Sequence, residues 1–124
     1  MNTWIKVGRV IFGIPMLVFG VNHFLMMENM QGIVPGWLPF SAFWVAVTGI
    51  LLIAAGICII GGLKGAFSLS VGLAVFLCLV ILTVHLPGVL DEATRQTSMI
   101  NLLKDFALLG ASLSYAGLFQ NMLL

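Results

Sequence analysis

Residues 40–60 read FSAFWVAVTGILLIAAGICII. The run is apolar almost throughout, and its length matches the roughly 20 residues a helix needs to cross a hydrocarbon core of about 30 Å. Comparable runs extend from about 7 to 27, from about 66 to 86 and from about 102 to 124. In lipid only a helix satisfies its backbone polar groups within one segment, and these runs lack the alternation of barrel strands. The sequence therefore predicts an all-α integral membrane protein: an up-down-up-down four-helix bundle forming a single domain over residues 1–124.

Composition supports this reading. The 124 residues are 61% hydrophobic and only 7% charged, with a mean hydropathy of +1.19, too apolar for a soluble domain of this length to cover its own surface. The lipid bilayer is the expected partner. A net charge of +1 with no basic run argues against nucleic acid. No glycine loop has the spacing that cradles a nucleotide phosphate.

The connections differ in character. Glu28 to Pro39 carries Gly32, Pro35, Gly36 and Pro39; Gly61 to Gly65 is a tight turn around Lys64; Pro87 to Ser98 holds Asp91, Glu92 and Arg95. Pro35 and Pro39 are read as structural residues that set the path of the first connection. Lys6 and Arg9 before an apolar stretch also fit a signal peptide, but the run is longer than a usual h-region and no A-x-A-like cleavage site follows. Lys6, Arg9 and Lys64 on one side, against Glu28, Asp91, Glu92 and Arg95 on the other, predict that both termini are cytoplasmic. Trp4, Trp37 and Trp44 suit the interfaces.

Polar residues inside the runs gather at one end. Arg9, Gly13, Met16, Gly20, His23 and Met27 recur at steps of four and three and share a stripe of the first helix. Arg9 and His23 stand about 21 Å apart along it. Asn22, His23, His85, Lys104 and Asp105 are all expected within about 10 Å of the outer interface, and Asn101 can pair with Asp105 four positions on. An ionisable group within a span suggests function by default, so Asn22, His23, His85, Asn101, Lys104 and Asp105 are the candidate ligand-binding residues. The plain alternatives are that Lys104 and Asp105 mark the water interface, that His85 is interfacial, that His23 makes a structural hydrogen bond, and that Arg9 snorkels as a topology residue. Lys104, Ala107, Ala111, Ser114 and Gly117 form a second stripe, expected to face a neighbouring helix.

Other chemistries have thinner support. His23, Met26, Met27 and Met30 offer soft ligands for Cu(I), although methionine also fills core gaps. Cys58 and Cys78 differ in depth by about 10 Å, against a disulfide, and no C-x-x-C motif occurs. Two histidines at one depth permit a haem but bring no attachment motif. No cofactor follows from the residues alone.

Arg9 with Gly13 and Gly20, then Asn22-His23-Phe24, Val34-Pro35-Gly36-Trp37-Leu38-Pro39, Thr48-Gly49 with Ala55-Gly56, and Asn101-Leu102-Leu103-Lys104-Asp105 before Ala107-Leu108-Leu109-Gly110 together resemble the DoxX family of small bacterial four-helix membrane proteins. The resemblance spans essentially the whole chain. It implies an inner-membrane bundle and a link to membrane redox systems, since the family name comes from a small subunit of a thiosulfate:quinone oxidoreductase and some relatives are associated with oxidative-stress complexes. It carries no catalytic residue onto His23 or Lys104. The leading expectation is a redox-linked subunit whose polar layer receives a quinone-like or other small amphipathic molecule, with donors on histidine, asparagine and lysine for a quinone carbonyl. The alternatives are a scaffold docking a membrane oxidoreductase without its own chemistry, and proton or solute transport through Arg9, His23 and Asp105 in a homo-oligomer.

Overall fold

A computed structural model describes residues 2–121 of the chain. Helix α1 (Thr3–Leu25) begins where the Asn2 side chain accepts a hydrogen bond from the Ile5 amide at 2.9 Å, satisfying one orphan donor of the first turn. A short helix α2 (Met27–Gln31) interrupts the first connection, and α3 (Ser41–Gly61) follows. Gly62, at φ 61°, ends α3 in the left-handed conformation, a backbone state that costs glycine little. Helix α4 (Ala66–Val80) continues through a widened π turn, Ile81–His85, into α5 (Leu86–Leu90). Helix α6 (Arg95–Phe119) completes the described chain.

Thr3–Leu25, Ser41–Gly61, Ala66–Leu90 and Arg95–Phe119 are each long and apolar enough to cross a membrane. Large apolar side chains point outward at mid-span, Ile50 at 60%, Leu82 at 60% and Phe106 at 63% exposure, where water would penalise them and lipid does not. The protein is a multi-pass membrane protein built as a four-helix bundle.

Two boundaries depart from the sequence expectation. The third span runs to Leu90 instead of ending near Leu86, so the connection expected over Pro87 to Ser98 shrinks to the segment before Arg95. Proline removes one helical donor and crowds the carbonyl four residues back; the π turn absorbs this, with the Leu86 amide bonding to the Ile81 carbonyl five residues earlier. The fourth helix begins at Arg95, not near Leu102, and residues 122–124 of the expected span lie outside the described residues. Its start is held by bonds from Thr94 Oγ1 to the Gly88 carbonyl (2.7 Å) and from Arg95 Nε to the Val89 carbonyl (2.9 Å).

Helix α1 lies along α3, α3 along α4, and α4 along α6. The first contact rests on two glycine pairs. A Cβ on Gly20 would sit 2.8 Å from the Gly49 carbonyl oxygen, and one on Gly56 would sit 2.9 Å from that of Gly13. Seven-residue spacing on both helices, Gly13 to Gly20 and Gly49 to Gly56, keeps both pairs on one seam. Helices α1 and α6 meet through side chains: Arg9 over the Phe119 ring, Phe12 against Tyr115 with ring centroids 5.1 Å apart, and Lys104 over Phe19. The core between them contains Met16, Leu52, Ile59, Leu73 and Phe119.

The stripe expected to pack α6 against its neighbours lies at the rim of the α1–α6 contact, where Lys104 meets Phe19 and Ala111 and Ser114 border Trp4, Ile5 and Gly8, and not at its centre. Lys104, Ala107, Ser114 and Gly117 are exposed and Ala111 is half-buried, whereas Asp105, Ser112, Ala116 and Phe119 are buried. The stripes lie side by side on the helix, and the larger apolar burial offered by Phe119 and its neighbours decides between them.

Candidate functional site

A cavity of about 560 Å³ occupies the half of the bundle away from the chain termini. Its walls are mainly apolar, with Met16 and Leu52 at depth and Phe76 and Leu108 at the sides. His23, His85, Asn101, Lys104 and Asp105 all line it, from three of the spans. Asn22 does not; it lies beside His23 in sequence but on another face of α1. The volume falls within the range of about 300–1,000 Å³ usual for small-molecule sites, which pair apolar walls with a few fixed polar groups.

The first connection forms one wall. Met30, Ile33, Val34, Pro35, Trp37 and Leu38 line the cavity, and the segment is tied to α3 at two points. Ser41 Oγ donates to Gln31 Oε1 at 3.0 Å, and Trp44 Nε1 donates to the Pro39 carbonyl at 2.9 Å. Pro35 accepts from the Leu38 amide at 3.0 Å in a turn, so both prolines fix the path of the wall. Of the soft-ligand set, Met30 shares the cavity with His23, while Met26 is exposed outside it.

His85 Nε2 lies 2.8 Å from Asp105 Oδ2, with the two side chains 14% and 12% exposed. An ionised carboxylate can only accept, so His85 donates from Nε2. The π turn creates this contact. Leu77, on the buried face of α4, and His85 are eight residues apart, which in a regular helix separates them by about 80° around the axis; one extra residue in the turn returns His85 close to the line of Leu77 and so toward α6. Asp105 thus pairs across the bundle rather than along its own helix with Asn101, as expected from spacing alone. The Asn101 amide makes no hydrogen bond among the described residues.

His23 is fixed just as firmly. Its Nδ1 lies 2.7 Å from the Phe19 carbonyl, an obligate acceptor, so Nδ1 carries the proton and Nε2 is an acceptor in the neutral ring. In the neutral form each imidazole spends its N–H within the protein and leaves an acceptor nitrogen, with Lys104 and Asn101 as the donors beside them; a protonated imidazole would donate from both nitrogens. Lys104 Nζ lies 5.5 Å from the centre of the Phe19 ring, a cation–π contact.

Arg9 stands at the opposite end, outside this cavity. Its Nη2 reaches the Ile60 carbonyl at 3.5 Å and its guanidinium covers the Phe119 ring at 5.8 Å. It lies at the carbonyl end of α3, where a cation is favoured. Cys58 and Cys78 are free thiols.

A family model described as a domain of unknown function (DUF8561) matches residues 12–104. The chain belongs to the DUF8561 family. The matched region runs from α1 to Lys104, so it holds every polar residue of the cavity except Asp105, the position just beyond it. No curated protein and no solved structure matches the chain.

Proposed function

We propose that this DUF8561 protein is a redox-linked subunit of the bacterial inner membrane, in which the cavity receives a quinone-like amphipathic molecule, and that the resemblance to the DoxX family extends to this role. The observation that carries the reading is the cavity itself. Its apolar depth suits a ring and the start of a tail, and His23, His85, Asn101, Lys104 and Asp105 gather where a polar ring edge would lie. Lys6, Arg9 and Lys64 at the other end support cytoplasmic termini, and hence a cavity under the outer headgroups. Purified protein is expected to gain thermal stability with short-tailed ubiquinone or menaquinone analogues, and less so after His23→Ala. Absence of stabilisation in both proteins would remove the reading.

A second reading is a scaffold that docks a membrane oxidoreductase without chemistry of its own. It is favoured by the outward face of α6, where Gly110 and Gly117 have nothing within 4 Å of an added Cβ. Close helix approach in membranes uses such surfaces. Mild-detergent isolation that yields a stoichiometric oxidoreductase, lost on Gly110→Leu, would support it.

A further inference from the structure

We infer that the cavity selects the reduced, hydroxyl-bearing form of its ring ligand, and that His85, positioned by Asp105, takes the hydroxyl proton. This rests on the reading that a quinone-like ring occupies the cavity, and it adds which redox form binds and which group receives the proton.

Hydrogen-bond direction carries the inference. The Phe19 carbonyl takes the proton-bearing Nδ1 of His23, and the Asp105 carboxylate takes the proton-bearing Nε2 of His85. His23 Nε2 and His85 Nδ1 are the ring nitrogens left to a ligand, and neutral imidazole nitrogens without hydrogen only accept. An oxidised quinone brings carbonyl oxygens, which only accept and so would engage Lys104 and Asn101 but neither imidazole, whereas a hydroxyl oxygen can accept from those donors as well. A ring hydroxyl donates. Two acceptors on separate helices, one on α1 and one on the turn between α4 and α5, match a ligand that carries donors.

Charge balance points the same way. In the proposed resting form the ligand is protonated, Asp105 is a carboxylate, Lys104 an ammonium and both imidazoles are uncharged. When the hydroxyl O–H breaks, the proton goes to His85 Nδ1 and the oxygen keeps the electron pair. The imidazolium then faces the Asp105 carboxylate, and the ligand oxyanion has the Lys104 ammonium and the Asn101 amide as donors. Net charge is zero before and after, which matters where isolated charge is costly. No electron moves in this step. A carboxylate behind an imidazole fixes its tautomer and stabilises the imidazolium, so Asp105 is a positioning residue.

Trp37 and Trp44 line the cavity, so their fluorescence reports occupancy in the full-length protein. The probes are a short-tailed benzoquinol, its quinone and its bis-methyl ether, titrated without oxygen. The quinol is expected to bind about tenfold more tightly than the ether, the factor for one charge-assisted hydrogen bond. Bound quinol is expected to show phenolate absorbance. Asp105→Asn should remove that absorbance and lower the quinol-to-ether affinity ratio toward one. Equal affinities in the wild-type protein, or tighter binding of the quinone, would overturn the inference while leaving the cavity reading intact. Failure of all three probes to bind would overturn both. The wild-type series decides the matter even if the variant does not fold.

Discussion

His85 Nε2 and Asp105 Oδ2 lie 2.8 Å apart and join the third span to the fourth. Removing one partner strands the other in an apolar setting, while removing both leaves nothing unpaired. Asp105→Leu and His85→Phe are each expected to lower stability, and the double variant to recover part of the loss. The coupling should be about 1 kcal/mol, in line with interhelical hydrogen bonds in membranes. Unfolding in mixed detergent micelles measures it; strictly additive losses would show that the pair contributes nothing.

The α1–α3 seam and the outer face of α6 use the same residue type with opposite demands. A Cβ on Gly20 would stand 2.6 Å from Ile53 Cγ1 and 2.8 Å from the Gly49 carbonyl, against nothing within 4 Å at Gly110. Gly20→Ala should therefore cost about 1–3 kcal/mol through overpacking. Gly110→Ala should be neutral or stabilising by up to about 1 kcal/mol, the difference in helix propensity. Equal effects in the same unfolding assay would contradict the close approach of α1 and α3.

The spans were legible because hydropathy over some twenty residues integrates many weak preferences, and the polar layer because charged and imidazole side chains are scarce in such runs. What could not be read was rotation about the helix axis. His85 reaches Asp105 only because the π turn before Pro87 adds a residue; a proline in a sequence marks a helix end as readily as a widened turn within one. The same difficulty holds on α6, since Ala111 and Ser112 are adjacent and only packing tells which is the more buried. The direction of each histidine hydrogen bond depended on backbone and carboxylate positions that spacing does not supply.

Ser70 is fully buried in α4, and its hydroxyl has no hydrogen-bond partner among the described residues. An unpaired buried hydroxyl opposes folding. Ser70→Ala is expected to raise stability by about 0.5–1 kcal/mol. Ser112, equally buried, donates to the Leu108 carbonyl at 2.9 Å, so Ser112→Ala should gain less. The order of the two midpoints in a thermal melt is the check, and a larger gain at Ser112 would contradict it.

Lys104 and Phe19 close the α1–α6 seam beside the cavity, with Nζ 5.5 Å from the ring centre. A cation held by a ring face is worth about 0.5–2 kcal/mol and depends on the π electrons rather than on the size of the side chain. Phe19→Leu keeps most of the apolar volume and removes the ring, so it should lower stability by about 1 kcal/mol in the wild-type background. In a Lys104→Met background, where no cation remains, the same substitution should cost measurably less. A double-mutant cycle in detergent reads the difference, and an identical cost in both backgrounds would mean that Phe19 contributes packing alone.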